Sequence, residues 1–488
     1  MHLSSLARQA KAGNMKTDTD CSAQHSKMSL TLTSDLVAQY QEQVEGEASS
    51  SVAMNACWKS DPLDMCLRRN KVVECNHIFT HKVENEGRPV TNQKSSGRCW
   101  IFACLNVMRI PFMKACNIDE FEFSQAYLFF WDKIERCNYF LNKMVECAKR
   151  GEDVEGRLVS FLLHDPISDG GQWDMLVNLI TKYGVMPKKC FSESYSAENS
   201  MRMNRFLQSK LREYTKNLRA VISKGGDDAA VSEMLSTQMG EIYRIVSICL
   251  GIPPKTFSWE YYDKSKAYHK VGPLTPLEFY NEHVKATYNV EDKLCLVTDP
   301  REKNAYGMAY TVDCLGNMVG GRKTIYNNQP VELLMSLSAN SIKSGEAVWF
   351  GCEVGKRFAG KQGIQDLEIH DYKSAFGVEF NLGLCKADRL VYGESLMTHA
   401  MTFTAVTVNE SGTAEKWRVE NSWGEDRGEK GYLIMTAEWF REFVFEIVVD
   451  KKFVPEDVLS VYSQEPIVLP AWDPMGALAH KEPVLLQL

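Results

Sequence analysis

The chain has 488 residues, a formal net charge of −7 at pH 7 and 44 % hydrophobic residues, a composition that is typical of globular proteins and excludes a disordered or fibrous chain. The acidic balance gives no general reason to bind nucleic acid or an anionic membrane. No apolar run approaches the roughly 20 residues of a membrane span, and MHLSSLARQAKAGNMK lacks the apolar stretch of a secretory signal. We therefore expect a cytoplasmic protein of about two to four structural units, with no membrane partner.

The cysteine pattern bears on redox compartment and metal binding. There are fifteen cysteines, an odd number at irregular spacing, and no two of them form a Cys-x-x-Cys pair. A chain of this size does not need disulfides to hold a core together. We therefore expect free thiols in a reducing compartment, no metal site and no organic cofactor.

The first part of the chain predicts a leader followed by helices. Residues 1–30 predict a disordered leader, and TSDLVAQYQEQVEGEA then predicts a helix capped by Thr33 or Ser34. RCWIFACLNVMRIPFM is apolar on every face, which predicts a buried helix that ends before Pro111. The Gly-Gly turn of SDGGQW predicts the start of another helix, which ends at Gly184.

The rest of the chain changes from helical to strand-like patterns. Residues 200–250 predict two helices, because apolar residues recur at steps of three and four on both sides of a break at Gly225 and Gly226. The last third contains short β-branched and aromatic runs between turns, namely EAVWFGCEVG, HAMTFTAVTVN, KWRVENSW, KGYLIMT and FVFEIVV. Such runs predict antiparallel strands. Helices first and strands last favour an α+β architecture.

Three residues carry the candidate chemistry. Cys99 opens the buried helix, His399 lies at the start of a strand-like run, and Asn421 follows the next such run. A cysteine at a helix start is by itself most often a packing residue. A cysteine followed by a distant histidine and then an asparagine instead favours a nucleophilic site, because a helix N-terminus and an imidazolium both stabilise a thiolate.

Several segments resemble the papain-like cysteine peptidases. QKSSGRCW resembles their Gln-to-Cys segment, NSWGEDRGEKGY their Asn-Ser-Trp-Gly segment, and SDGGQW the Gly-Gly turn of their substrate cleft. Within this group, the sequence most resembles the bleomycin hydrolase and aminopeptidase C family. The segments that carry this resemblance are NQKSSGRCWIF, FEFSQAYLFFWDK, DGGQWDMLVN, GPLTPLEFY, NMVGGRKTIYNNQP, GESLMTHAMTFTAV and IVLPAWDPMGALA. The resemblance runs from about residue 60 to residue 479.

The resemblance implies a fold and a domain organisation. It implies a papain-like α+β fold with a helical left half, an antiparallel β-barrel-like right half and helical insertions. We expect the N-terminal part of this fold in residues 31–195, with the nucleophile helix, and a helical insertion in residues 196–270. Residues 271–465 are then the β-rich part that carries the histidine and the asparagine, and residues 466–488 a tail that lies partly in the active-site cleft.

The resemblance also implies an activity. It implies a cysteine aminopeptidase without cofactor or metal, which forms a thioacyl-enzyme on peptides with a free N-terminus and hydrolyses the amide of bleomycin. Cys99 is then the nucleophile, His399 the base and later the acid, and Asn421 the residue that orients the imidazole. The spacing of Gln93 before Cys99 matches the glutamine of the family's oxyanion hole. The family also implies a homohexamer.

Two other functions stay open at this stage. Basic residues crowd the predicted helix over residues 202–224, which would suit a nucleic-acid-binding ring whose peptidase activity is incidental, although no aromatic residues are regularly interleaved for base stacking. A Cys-His acyltransferase is the other alternative, but such sites use an aspartate where this chain has Asn421.

The C-terminus departs from the family pattern. HKEPVLLQL extends nine residues beyond Ala479, about where the family's tail ends. The family's terminal carboxylate holds the α-amino group of the substrate, and an internal peptide group cannot replace it. We therefore expect that the extension is clipped, that aminopeptidase activity falls, or that the tail blocks the site.

Overall fold

A computed structural model describes residues 30–380 and 382–477 of the chain. The expected leader up to residue 29 and the extension after Ala479 lie outside the described residues. The chain divides into two compact units, with the boundary between Met65 and Cys66. The second unit contains all four candidate site residues.

The helices and strands have the following bounds. The helices are α1 (Ser34–Gly46), α2 (Ala48–Cys57), α3 (Pro62–Cys66), α4 (Arg69–Glu74), α5 (Cys99–Ala115), α6 (Gln125–Lys149), α7 (Arg157–His164), α8 (Trp173–Tyr183), α9 (Tyr195–Glu198), α10 (Met201–Ser223), α11 (Asp228–Leu250), α12 (Pro276–Phe279), α13 (Val331–Lys343), α14 (Tyr372–Phe376), α15 (Lys386–Val391), α16 (Ala437–Phe443) and α17 (Glu456–Ser460). The strands are β1 (His81–Lys82), β2 (Phe257–Tyr262), β3 (Tyr268–Leu274), β4 (Lys293–Val297), β5 (Met308–Val312), β6 (Tyr326–Asn328), β7 (Val348–Cys352), β8 (Phe358–Ala359), β9 (Ile364–Gln365), β10 (His399–Val408), β11 (Ala414–Glu420), β12 (Tyr432–Thr436), β13 (Val444–Asp450) and β14 (Ile467–Leu469). Strands dominate the last third, as the sequence pattern predicts.

The buried helix α5 corrects one prediction. The sequence predicts an end before Pro111, but α5 continues through this proline to Ala115. A proline inside a helix loses one hydrogen bond and costs about 3 kcal/mol. Phe112 and Met113, which follow it, are almost fully buried, and each buried apolar side chain of this kind contributes roughly 1.5–3 kcal/mol. Burial of the last turn therefore outweighs the local cost of the proline.

The predicted helical pair of residues 200–250 is confirmed as α10 and α11. Leu207, Leu211 and Leu218 of α10 are fully buried, at the spacing that the sequence predicts. The chain turns between the two helices at Gly225, whose φ of +79° favours glycine. The hairpin β2–β3 follows α11, so strands also occupy the end of the segment predicted as helical.

One large sheet carries the second half of the site. Its strands follow the order β14-β5-β6-β4-β13-β7-β10-β11-β12-β9-β8, with β1 added beside β10. Most pairs are antiparallel, as predicted, whereas β4–β6, β5–β14 and β9–β12 are parallel. Successive side chains of a strand point to opposite faces, so Ala400 joins the core that contains α5 and Met401 the core on the other face.

A buried ion pair joins α5 to this sheet. Arg109 Nη2 lies 2.5 Å from Glu420 Oε1, and both side chains are almost fully buried. The guanidinium also donates to the carbonyl oxygens of Pro89 at 2.9 Å and Phe121 at 3.2 Å. Glu420 is the last residue of β11, directly before Asn421, so this pair holds the end of β11 against α5.

We expect Arg109→Ala to lower the free energy of unfolding by about 3–5 kcal/mol, because it leaves Glu420 buried without its charged partner. Urea unfolding followed by tryptophan fluorescence measures the change. Lys114→Ala on the same helix is the matched control, since Lys114 pairs with Glu84 where both side chains are exposed. Equal unfolding midpoints for the two variants would contradict the assigned role of the buried pair.

Candidate active site

Cys99 is the first residue of α5, and its thiol lies beside the first residues of β10. The main-chain N–H groups of Ala400, Trp100 and Cys99 itself act on the thiol and favour its charged form, against the larger effect of burial on its pKa. Two further bonds fix α5 against the sheet, from Trp349 Nε1 to the carbonyl of Trp100 at 3.2 Å and from Thr402 Oγ1 to the carbonyl of Ala103 at 3.2 Å. The nucleophile helix therefore begins where β10 begins.

Strand pairing brings His399 and Asn421 together. His399 starts β10, Asn421 follows the end of β11, and these antiparallel strands pair with Thr402 opposite Glu420. His399 Nε2 lies 2.9 Å from Asn421 Oδ1. An amide oxygen only accepts, so the imidazole carries its proton on Nε2 and leaves Nδ1 as a base. The structure thus brings His399 and Asn421 into contact, and the Cys99 thiol lies beside the main chain of Ala400, the residue that follows His399.

Burial favours the neutral forms of both the thiol and the imidazole. Burial raises the pKa of the Cys99 thiol to about 12, although the three main-chain N–H groups act in the opposite direction. Burial also lowers the pKa of His399 to about 4, against the hydrogen bond to Asn421, which favours the protonated ring. Burial therefore acts against a charge on either group, whereas the main-chain N–H groups and the Asn421 bond act for it.

Gln93 is buried beside Ser422, the residue that follows Asn421. Its Nε2 donates to the carbonyl of Ser96 at 2.6 Å, and its Oε1 accepts from Ser422 Oγ at 2.7 Å. Its main-chain N–H donates to the carbonyl of Ser422 at 2.8 Å. The side-chain amide has a second N–H, and the bonds to Ser96 and Ser422 fix the plane in which it points.

The loop after Asn421 packs closely against the segment that carries Gln93. Asn92 forms an antiparallel bridge with Trp423, and Gly424 donates its N–H to the carbonyl of Thr91 at 3.0 Å. A Cβ on Gly424 would lie 2.7 Å from the side chain of Asn92, so glycine is required for this approach. The Trp423 ring lies 4.8 Å from the His399 ring, between centroids.

The C-terminal segment approaches the Gly-Gly turn. Gln172 Nε2 donates to the carbonyl of Ala477 at 3.0 Å, and Asp473 forms a buried ion pair with Arg301 at 2.7 Å. A Cβ on Gly171 would lie 2.6 Å from the Trp100 ring, so this turn packs directly on the nucleophile helix. The described part of the predicted tail therefore ends beside the turn that follows Asp169.

Three basic residues of α10 have partners within the chain. Arg212 donates to the carbonyl oxygens of Leu163 and His164, and Arg219 donates to the carbonyl of Glu152. Lys210 forms an ion pair with Glu213. Part of the positive charge seen in the sequence is thus used in internal contacts.

The described residues contain neither a metal-binding cluster nor a membrane-spanning helix. No group of three or more His, Cys, Asp or Glu side chains among residues 30–380 and 382–477 is arranged to hold a metal ion. In the same part of the chain, no helix combines the length and the apolar character needed to cross a bilayer.

The sequence reasoning missed Ser422 and Asp169. Ser422 anchors Gln93, and Asp169 accepts a hydrogen bond from the Gly97 N–H at 3.0 Å. Both residues lie inside recognised motifs, in NSWG and DGGQW. Their partners are far away along the chain, so no local pattern predicts these contacts.

Known proteins resemble this chain over almost its whole length. A profile of the peptidase C1-like family matches residues 31–476. The chain is 59 % identical to bleomycin hydrolase of Mus musculus over 451 residues, which cover 92 % of this chain and 99 % of the mouse protein. It is 39 % identical to aminopeptidase C of Lactococcus lactis subsp. lactis, over 92 % of this chain and 100 % of that protein.

A solved structure resembles the fold. The crystal structure of pepw from Lactobacillus rhamnosis matches with a TM-score of 0.88 at 39 % identity and covers 93 % of this chain and 100 % of its own. These comparisons confirm the predicted papain-like α+β fold and the predicted activity class. The chain belongs to the peptidase C1-like family, and it is a cysteine-type aminopeptidase of the group that contains the bleomycin hydrolases and the aminopeptidases C.

Proposed function

We propose that Cys99, His399 and Asn421 are the catalytic residues of this aminopeptidase and that Gln93 belongs to its oxyanion hole. The observation that carries the proposal is the His399 to Asn421 hydrogen bond of 2.9 Å beside a buried thiol at a helix start. The bond leaves Nδ1 free to accept a proton, and the helix start presents unpaired N–H groups.

The first half of the reaction forms a thioacyl-enzyme. Cys99 Sγ transfers its proton to His399 Nδ1 and attacks the carbonyl carbon of the scissile bond. The negative charge passes to the substrate oxygen, which accepts hydrogen bonds from the second N–H of Gln93 and the main-chain N–H of Cys99. The C–N bond then breaks, and the imidazolium gives its proton to the leaving amine.

The second half releases the product. His399 takes a proton from water, the hydroxyl attacks the thioester carbon, and the C–S bond breaks. The proton returns from the imidazolium to the departing thiolate, which restores the neutral pair. Asn421 keeps the ring in one orientation through both halves, because its bond to Nε2 persists in the neutral and the protonated ring.

We further propose that the substrates are peptides with a free N-terminus and, from the names of the relatives, bleomycin. The contact of Ala477 with Gln172 supports a position of the C-terminal tail near the cleft. A tail there leaves room for one substrate residue on the N-terminal side of the cleaved bond. Free thiols such as those of Cys104, Cys137 and Cys352 agree with a cytoplasmic location. The homohexamer and the insertion over residues 196–270 remain predictions from the family resemblance.

Nucleic acid is the weaker candidate partner. The internal contacts of Arg212, Arg219 and Lys210 leave fewer cations of α10 for phosphates. A filter-binding titration of Cys99→Ala with single-stranded DNA at several salt concentrations tests this alternative, because phosphate contacts weaken steeply with salt. Asn421 likewise disfavours the acyltransferase alternative, which uses an aspartate at this position.

We expect the enzyme to hydrolyse a fluorogenic aminoacyl amide at least about 100-fold faster than its N-acetylated counterpart, since an anchored free amine contributes charge-assisted hydrogen bonds. Cys99→Ala should lower both rates by about 10³-fold or more, because no other nucleophile replaces the thiol. Equal rates for the two substrates would contradict the aminopeptidase specificity. Full turnover by Cys99→Ala would contradict the assigned nucleophile.

We expect Gln93→Ala to lower kcat by roughly 10²- to 10³-fold with little change in KM, because an oxyanion-hole donor acts mainly in the transition state. Steady-state kinetics on the aminoacyl amide measure both constants. Gln329→Ala is the matched control, since Gln329 is also buried and its amide bonds to Asn327. Similar losses of kcat in both variants would contradict a specific role for Gln93.

We expect the acid limb of kcat/KM to lie near pH 4. His399 must be neutral to accept the thiol proton, and burial lowers its pKa from 6.5 to about 4. Activity should therefore persist as pH falls through the ordinary histidine range and disappear only below it. In Asn421→Ala the limb should move to still lower pH, because the hydrogen bond that favours the protonated ring is lost. A wild-type limb near pH 6.5 would contradict this assignment.

A further inference from the structure

Asp169 contacts the chain on both sides of Cys99. Its carboxylate oxygen Oδ2 accepts from the main-chain N–H of Gly97 at 3.0 Å. Its main-chain carbonyl accepts from Trp100 Nε1 at 2.7 Å. Asp169 therefore fixes both Gly97, two residues before Cys99, and Trp100, one residue after it. Asp169 lies 72 residues from Gly97 in the chain, directly before the Gly-Gly turn.

Two helices hold the Asp169 carboxylate in turn. Lys133 of α6 lies 2.7 Å from Oδ1, and both side chains are buried. From the start of α10, Asn204 Nδ2 donates to Oδ1 at 2.7 Å, and Ser200 Oγ donates to Oδ2. Burial alone would raise the pKa of Asp169, but the charge of Lys133 and these hydrogen bonds outweigh it and hold the pKa well below its usual range. The group is thus a buried, fully partnered carboxylate.

A neighbouring ion pair fixes the rest of this turn. Arg98 is fully buried, pairs with Glu193 at 2.8 Å and donates to Ser96 Oγ at 2.8 Å. Burial is the main cause that raises the pKa of Cys99, and the negative charge of Asp169 adds to it. The carboxylate that holds the Gly97 N–H therefore also acts on the thiol through its charge.

We infer that Asp169 is a positioning residue that acts on the nucleophile through the Gly97 N–H and the Trp100 indole. The N-terminus of α10 contributes to the same positioning, because Ser200 and Asn204 hold the Asp169 carboxylate. The inference rests on the proposed role of Cys99. The inference gives α10 a function at the active site in addition to any role on the surface. Its N-terminus donates hydrogen bonds to the Asp169 carboxylate, and this carboxylate holds the Gly97 N–H in the turn before Cys99.

The first test is Asp169→Asn in the full chain. We expect kcat on the aminoacyl amide to fall by about 10- to 100-fold with KM changed less than about twofold, since a small misplacement of a reacting group is costly and substrate binding is not altered. The alkylation rate of Cys99 with iodoacetamide, followed by peptide mass spectrometry against pH, should shift to lower pH, because the negative charge near the thiol is lost. A role in stability alone would lower the unfolding midpoint and leave the alkylation profile in place.

Glu135→Gln is the matched control for this variant. Glu135 is also a buried carboxylate with a cationic partner, Lys182 at 2.6 Å, but its hydrogen bonds lie outside the turn before Cys99. Unchanged kcat and an unchanged alkylation profile in Asp169→Asn would overturn the inference. If Cys99→Ala were also fully active, the proposed function itself would fail, so the two failures are distinguishable.

A second pair of variants tests the positioning role of Asp169 if Asp169→Asn does not fold. Asn204→Ala removes one hydrogen bond to the carboxylate from a half-buried position, and Arg205→Ala changes an exposed neighbour on the same helix. We expect kcat to fall several-fold in Asn204→Ala, with KM unchanged, and to stay at the wild-type value in Arg205→Ala. Equal kcat values in the two variants would overturn the inference.

Discussion

The pairing register of β10 and β11 is the constraint on which the site depends. It places the start of one strand beside the end of the other, so that His399 meets Asn421 while Thr402 lies opposite Glu420. A slip of one residue would turn His399 to the other face of the sheet. The same register directs Ala400 toward α5, where its N–H reaches the thiol of Cys99. Two strands and one helix thus set the geometry of the reacting groups before any side-chain adjustment.

Buried ion pairs surround the nucleophile helix and fix its position. Arg109 with Glu420 and Arg98 with Glu193 join α5 or its preceding turn to other elements. Lys133 pairs with Asp169, whose carboxylate accepts from the Gly97 N–H before α5. Such pairs contribute little net stability over apolar packing, because both charges lose their hydration. Their directional hydrogen bonds nevertheless define one arrangement of the helix. In this chain that arrangement places the buried Cys99 thiol at the start of β10.

Burial and hydrogen bonding act in opposite directions on the charges of the site. Burial raises the pKa of Cys99 and lowers that of His399, so a charge on either group needs stabilisation by its neighbours. The main-chain N–H groups at the helix start and the Asn421 oxygen are already in place to stabilise such charges, and they need no reorganisation. These groups offset part of the cost of charge in a buried site.

Local sequence patterns predict part of this structure and miss the rest for identifiable reasons. The spacing of Gln93 and Cys99 and the later His399 and Asn421 can be read from motifs, and so can α8, α10 and the main strands, because each depends on neighbours within a few residues. The expected end of α5 before Pro111 is wrong because burial of Phe112 and Met113 overrides a local rule. The roles of Ser422 and Asp169 depend on contacts between distant segments. Periodicity and capping rules contain no information on such contacts.

Labelling of the cysteines by a mechanism-based reagent tests the central claim most directly. The full chain would be incubated near neutral pH with an aminoacyl chloromethyl ketone, which alkylates a thiol that attacks the adjacent carbonyl, and then mapped by peptide mass spectrometry. The account predicts one label per chain, on Cys99 alone among the fifteen cysteines, together with complete loss of turnover. Labelling at another cysteine with loss of turnover, or full activity after Cys99 is labelled, would contradict it.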